Sequence, residues 1–175
     1  MNRNNTLRLL LSLLLITSFA INAYSQKDKG KRPSPPAQVT ETVNGKTITI
    51  DYSQPAVKGR LVLDGLIPYG KVWRTGANEA TWIELSDDVM IGNQTLPKGK
   101  YSIFTIAGES EWTIAFNKVW DQWGHYNYDE AEDQLRITVK PQKSDSFAER
   151  FTINISKEGV VSFAWENVEA TFTIK

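Results

Sequence analysis

Polar side chains able to bind a ligand or transfer a proton are concentrated in one short stretch. The segment Trp73–Leu85 holds Arg74, Asn78 and Glu79 between two tryptophans. Gly76 permits a tight turn, and the residues after the turn alternate between polar and apolar as they do in a strand. We therefore expect these three polar residues on a turn at the mouth of a strand, where their side chains can converge.

Two interpretations of this turn remain open. In the first, the planar guanidinium of Arg74 binds a carboxylate or phosphate of a ligand through two parallel hydrogen bonds. In the second, Arg74 pairs inside the protein with Glu79 or Asp51, and Asn78 satisfies polar groups of the turn. Arg60 joins the same cluster if the loop that carries it folds over the end of the sheet.

A second set of candidates lies in the long irregular stretch Lys118–Asp133. Its aromatic and titratable residues are Trp120, Trp123, His125, Tyr126, Tyr128, Asp129, Glu130, Glu132 and Asp133. Exposed aromatic rings stack on sugars and other flat ligands, whereas a loop of this length also buries its own aromatics over an open end of a fold. We expect Trp123 to be buried and Tyr126 and Tyr128 to be exposed. Asn117, just before the loop, is also a candidate binding residue.

The chain offers little support for metal or nucleophilic chemistry. His125 is the one histidine and cysteine is absent, so a zinc site lacks its usual ligands, and we expect no metal or cofactor. No Gly-x-Ser-x-Gly elbow and no acidic calcium loop occurs. A pair of catalytic carboxylates cannot be recognised from the spacing of acidic residues in a sequence. A hydrolase that uses Glu79 or an acid of residues 129–133 therefore stays an alternative.

Residues 1–25 have the features of a secretory signal. Arg3 and Arg8 precede the apolar run Leu9–Ala20, and Ala23-Tyr24-Ser25 fits a small-x-small cleavage site. The run is shorter than the roughly 20 residues that span a bilayer, which favours cleavage over a retained anchor. We expect an exported protein, periplasmic or secreted, that starts at Gln26 and is not inserted in the membrane. Without cysteine it carries neither a lipid at the cleavage site nor a disulfide.

Charge gives no case for nucleic acid as a partner. The chain has 20 basic and 20 acidic residues, and the signal contributes only two of the basic ones. A near-neutral surface does not attract a polyanion.

The remaining sequence predicts a single all-β domain. Residues 26–38 are charged and proline-rich and form a flexible leader, and residues 39–175 form the domain. Asn44-Gly45 and Gly92-Asn93 are typical hairpin turns. About ten short strands without a helix favour a β-sandwich. Near the end, Pro141–Ala148 is expected as a polar connection, and Val160–Glu166 and Glu169–Ile174 as two strands joined at Asn167.

Several stretches together resemble an exported bacterial family known as domain of unknown function 2911. They are Asp51–Pro55, Lys58–Arg60, Tyr69–Asn78, Leu96–Tyr101, Trp112–Lys118 and Trp123-Gly124. The resemblance extends from about Ser34 to the last strands. It implies an exported all-β domain and brings no established activity.

Three functions are compatible with these observations. The first is a non-catalytic module that binds a small molecule, a glycan or a peptide. The second is a hydrolase assisted by a carboxylate or by Arg74. The third is a structural partner in an envelope complex that uses an exposed sheet edge.

Overall fold

The computed structural model describes residues 29–175, so the predicted signal and the first residues of the leader lie outside the described part. The chain divides after Arg32, and the compact unit Pro33–Lys175 holds all the strands that the structure describes. Lys29–Lys31, before this unit, forms one turn of 3₁₀ helix. Within residues 29–175, no helix has the length and apolar character needed to cross a membrane.

The compact unit is built from antiparallel strands. They are β1 (Pro36–Val43), β2 (Lys46–Ser53), β3 (Val72–Trp73), β4 (Trp82–Leu85), β5 (Val89–Ile91), β6 (Gln94–Leu96), β7 (Gly99–Ala107), β8 (Trp112–Asn117), β9 (Asp133–Val139), β10 (Gln142–Ile155) and β11 (Val160–Thr173). Seven of them form one sheet in the order β1-β2-β4-β7-β8-β9, with β3 beside the second half of β7. A 3₁₀ turn at Glu130–Glu132 precedes β9.

Turn residues explain the two short hairpins. Asn44 and Gly45 both have positive φ, at 50° and 81°, which is the backbone of the turn expected between β1 and β2. Gly92, at φ 62°, opens the turn between β5 and β6. Both hairpin predictions are confirmed. β1 begins at Pro36, earlier than residue 39, because proline is tolerated as the first residue of an edge strand.

The chain reverses direction inside β11. A straight strand of 14 residues would separate its ends by about 45 Å. Instead, the amide of Ile174 donates to the carbonyl of Gly159, just before the strand, at 2.8 Å. Glu166 has a positive φ of 58°, and the buried positions change from odd to even numbers across it. β11 therefore consists of a first arm, residues 160–165, and a second arm, residues 168–173, as the sequence predicts.

β10 bends around the tip of this turn. Its first residues, Gln142 and Lys143, pair with the second arm, and residues 152–155 pair with the first arm, with two register shifts between. The prediction that Pro141–Ala148 is a polar connection between strands is therefore wrong, because β10 already begins at Gln142. Its polar side chains are solvent-exposed along most of this bend, so the strand lacks the alternation that marks a half-buried one.

The core lies between the seven-stranded sheet and the β10–β11 layer. Phe151 of β10 is fully buried, and its ring contacts Tyr52 and Trp73 of the sheet at centroid distances of 5.9 and 5.0 Å. Burying one such side chain contributes about 1.5–3 kcal/mol. The fold is thus an all-β, antiparallel sandwich, as predicted, and it is not a closed barrel.

The other face of the large sheet is also partly apolar. Phe104 of β7, Ala115 of β8 and Ala80 form a small second cluster, and Tyr128 from the long loop packs against it. Both faces of β7 are therefore covered, as its continuous apolar character indicates. We call this side of the sheet the outer face. It carries the candidate site.

A substitution at Gly159 tests whether the two ends of β11 lie in close contact. A Cβ there would overlap the carbonyl oxygen of Ile174 and lie 3.0 Å from Val43 Cγ1, and φ is +84°. We expect Gly159→Ala to cost about 3 kcal/mol or more of unfolding free energy. Gly92→Ala is the matched control, because φ is +62° but nothing lies within 4 Å. It should cost only about 1–2 kcal/mol for the left-handed backbone. Equal losses in denaturant melts would contradict the close approach.

Candidate functional site

Trp73 fixes the start of the Arg74 turn. Its ring is stacked on Trp165 at 5.7 Å with an interplanar angle of 16°, and it meets the edge of Phe151. The indole Nε1–H donates to the carbonyl of Gly76 at 3.0 Å. One side chain thus joins the turn to both layers of the sandwich.

Buried hydroxyl groups hold the rest of the turn. Thr75 Oγ1 and Thr105 Oγ1 are hydrogen-bonded at 2.8 Å, and Thr81 Oγ1 donates to the carbonyl of Thr75 at 2.6 Å. Gly76 is required by space, since a Cβ would lie 2.9 Å from Thr81 Oγ1 and 3.0 Å from Ser53 O. The main chain on both sides of Arg74 is therefore fixed.

The guanidinium of Arg74 has no internal partner in the described part of the chain. Its Nε atom is buried and makes no hydrogen bond. Neither Glu79 nor Asp51 forms an ion pair with it, so the internal pairing that the sequence left open is not made. A buried N–H of a charged group without an acceptor costs free energy, which makes this position unusual.

Asn78 and Glu79 position the long loop through their main chain. The amide of Gly124 donates to the carbonyl of Asn78 at 3.1 Å, and Glu79 forms an antiparallel bridge with Trp123. The Asn78 side chain donates to Ser34 O at 3.1 Å and to Ser53 Oγ at 3.2 Å, so it is a structural group. This short ladder places the loop beside Arg74.

His125 and Tyr126 complete the cluster. Their rings are stacked at 5.1 Å and 27°. Gly124, with φ +71°, lies between them and Arg74: a Cβ on it would be 2.8 Å from the Tyr126 ring and 3.8 Å from Arg74 Nη1. Burial, and then the charge of Arg74, lower the pKa of His125 below its ordinary 6.5, so the ring is neutral at pH 7. Its buried Nδ1 has no hydrogen-bond partner.

Exposure of the loop aromatics differs from the prediction in two places. Tyr126 is 76% exposed, as expected. Trp123, predicted to be buried, is 56% exposed, and its main chain forms the bridge to Glu79. Tyr128 was expected to be exposed, but it is half-buried against Phe104 at 4.7 Å.

Asn117 and Tyr128 belong to a separate internal network around Asp133. The Asp133 side chain is 4% exposed, and it accepts from Tyr128 Oη at 2.6 Å and from Asn117 Nδ2 at 2.8 Å. Burial, and then the hydrogen bond to Asp133, raise the pKa of Tyr128. Arg136 adds a longer contact to Asp133 at 3.4 Å. This network anchors the C-terminal end of the loop, so both candidates are assigned a structural role.

Arg60 does not join the cluster through any contact of its side chain. Its Nε and Nη2 donate to the carbonyls of Val57 and Ala56, at 3.0 and 2.6 Å, within its own loop. The guanidinium therefore closes a local turn.

Sequence reasoning missed two residues that shape the loop. Gln122 Nε2 donates to Val119 O at 2.6 Å, and the main-chain carbonyl of Gln122 accepts from Ala80. Lys100 Nζ lies 3.4 Å from the ring centroid of Trp82 and 4.0 Å from that of Trp120, which holds the start of the loop by cation–π contacts. No local pattern in the sequence indicates this contact, because Trp82 and Trp120 are both distant from Lys100 along the chain.

The arrangement is suited to binding an anion beside a flat ring. Arg74 supplies a cation without an acceptor, and Tyr126 and Trp123 supply exposed aromatic surface. Within residues 29–175, no three His, Asp or Glu side chains are grouped so as to hold a metal ion.

A family model matches residues 34–174, nearly all of the compact unit, and it is described as a protein of unknown function, DUF2911. A search of curated proteins finds no match. A search of solved structures likewise finds none.

Tyr128→Phe should destabilise the fold, because the variant removes a charge-assisted hydrogen bond to the buried carboxylate of Asp133. We expect a loss of about 1.5–3 kcal/mol in denaturant melts. Tyr126→Phe is the matched control, since the exposed Tyr126 hydroxyl makes no hydrogen bond with another described residue, and it should stay within about 0.5 kcal/mol of wild type. Equal effects of the two variants would show that the Asp133 network does not anchor the loop.

The lowered pKa of His125 predicts a pH dependence of stability. Because the folded-state pKa is below 6.5, the unfolded chain takes up the proton first as the pH falls. The free energy of unfolding of wild type should therefore fall as the pH drops below about 6.5, until the folded-state pKa is reached. Above pH 7 His125 is neutral in both states, so it makes no difference to stability there. His125→Gln should lack this decrease. Urea melts of both proteins between pH 5 and 8 measure it. Parallel stability curves would mean that His125 titrates normally.

Proposed function

We propose that this chain, which belongs to the DUF2911 family of proteins of unknown function, is a non-catalytic module that binds a small ligand at the Arg74 cluster. The cluster consists of Arg74, Trp123, Gly124, His125 and Tyr126. The ligand places a carboxylate or phosphate group on the guanidinium and a flat face on the exposed aromatic rings. A small organic acid, an acidic sugar or a peptide end has this chemistry.

The observation that carries the proposal is the missing partner of Arg74. Guanidinium groups that are partly buried are normally held by carboxylates or carbonyls, often through two parallel bonds. Arg74 has a fixed main chain, a buried Nε and no acceptor among the described residues. A bound anion would supply the acceptors without any change in the turn.

The neighbouring rings support the same conclusion. Tyr126 and Trp123 are large, exposed side chains on a loop whose main chain is tied to Asn78 and Glu79. Such rings lose little conformational entropy when they contact a ligand, because the surrounding structure already orients them. His125 is stacked on Tyr126 and is a neutral ring at pH 7, which leaves Arg74 as the charged group.

The geometry favours binding over hydrolysis. An acid or base that acts in catalysis is itself oriented by a hydrogen-bonded partner. No carboxylate in residues 29–175 is hydrogen-bonded to His125, whose Nδ1 lacks a partner. The hydrolase alternative relies on Glu79 or an acid of residues 129–133, and none of these side chains is hydrogen-bonded to His125 or Arg74 in the described part of the chain.

Substitutions of Arg74 test the proposal. Wild type is screened by thermal shift and calorimetry against glucuronate, benzoate, a dipeptide and inorganic phosphate, with glucose as the neutral probe. For a probe that binds, Arg74→Lys should weaken affinity at least tenfold, or about 1.4 kcal/mol, because an ammonium does not reproduce two parallel hydrogen bonds. Stability without ligand should change by less than about 0.5 kcal/mol, since no internal contact is lost.

Arg60→Lys is the control, because Arg60 donates only to carbonyls of its own loop. It should leave affinity unchanged. A loss of about 1–3 kcal/mol of stability in Arg74→Lys, with affinity for every probe retained, would show that Arg74 has a structural role and that the proposed site is wrong.

A further inference from the structure

The two layers of the sandwich separate near the junction of β9 and β10. β9 runs into β10 through Lys140 and Pro141, and the first residues of β10 pair with the second arm of β11. Before that junction, β9 and the second arm diverge and leave a groove of about 670 Å³. Residues 136–140 form one wall, residues 171–173 form the other, and the turn of the β5–β6 hairpin closes one end. None of the sequence-predicted site residues lines this groove.

Both long walls are strand edges. β9 is the last strand of the large sheet and pairs on one side with β8. The second arm is bonded to β10 only at Val168 and Glu169. Among the described residues, no main-chain hydrogen bond connects 136–140 with 171–173. Because an edge strand directs alternate N–H and C=O groups away from its partner, the groove presents unpaired main-chain groups from two sides.

The ionisable side chains that line the groove are all basic. They are Arg136, Lys140 and Lys175. Arg136 is already paired with Glu130 at 2.5 Å. Lys140 and Lys175 are exposed and form no ion pair with another described residue. The groove therefore favours an acidic occupant.

We propose that this groove binds an extended, acidic peptide segment of another protein, which adds as a strand between β9 and the second arm of β11. The wall of residues 136–140 is about 16 Å long at about 3.3 Å per residue, so it accommodates five or six residues of the partner. Main-chain hydrogen bonds supply affinity in this mode of recognition, and alternate side chains supply selectivity. Carboxylates on one face of the peptide lie beside Lys140 and Lys175.

A glycan fits this groove less well than a peptide. Sugar rings bind by stacking on exposed aromatic faces. Phe172 is the aromatic residue of the lining, and it is 7% exposed because its ring is packed in the core against Phe116 and Phe163. The groove offers main-chain edges, hydroxyl groups and ammonium groups in place of a stacking platform.

The test uses a fluorescein-labelled peptide of sequence Thr-Glu-Val-Glu-Val-Glu-Thr with blocked ends, titrated with the full-length protein by fluorescence anisotropy. The same peptide with alternate amides N-methylated is the first control, because it keeps the charge and loses the donors. Lys140→Glu/Lys175→Glu is the groove variant, and Lys71→Glu/Lys157→Glu, with the same change of charge at other exposed positions, is its control. Hydrogen exchange of the complex is followed in parallel.

We expect the N-methylated peptide and the groove variant each to weaken binding at least tenfold, with the control variant within twofold. Amides of residues 136–140 and 171–173 should gain protection. Equal binding of the two peptides, equal effects of the two variants, or no binding at all would overturn the proposal. So would protection of β9 without peptide in a protein that sediments as a dimer, because a second copy would then occupy the groove.

Discussion

The packing of Trp73 between the two layers determines where the candidate site lies. Its ring is stacked on Trp165 and meets the edge of Phe151, so it binds the sheet to the β10–β11 layer. Successive side chains of an extended chain point to opposite faces. With Trp73 fixed in the core, Arg74 is directed to the outer face, where Gly124 and His125 lie. Core packing and site geometry therefore depend on the same two residues.

The loop of residues 118–133 is positioned although it has almost no regular structure. Buried polar groups must find partners, and here they find them within the loop and where its two ends meet. The carbonyl of Gln122 and the amide of Gly124, in the first half of the loop, bond to the Asn78–Ala80 segment, and the hydrogen bond from Asn117 to Asp133 joins the two ends of the loop. A loop held in this way presents Tyr126 in a defined orientation, which lowers the entropic cost of binding.

Local chemistry in the sequence predicts much of this fold. Asn44-Gly45 predicts a hairpin, and the turn residues near Asn167 predict the division of β11, although the residue with the positive φ is Glu166. The strand within residues 141–148 is not predictable, since its polar side chains face solvent and it bends around another turn. For the site, composition located Arg74 and the aromatic loop, but not which rings are exposed. Trp123 is placed by a main-chain bridge to Glu79, and a bridge between residues 44 positions apart leaves no local pattern in the sequence.

Unsatisfied buried groups differ in what they imply. The indole N–H groups of Trp112 and Trp165 also lack partners, but both rings line a cavity of about 10 Å³, close to the smallest volume that holds one water molecule. A single water there would satisfy a neutral N–H at little cost. Arg74 is different because its charge remains at every physiological pH, so a neutral acceptor compensates it only in part. Among these groups without a partner, only Arg74 combines a permanent charge with exposed aromatic neighbours, and this combination supports the proposed anion site over a packing defect.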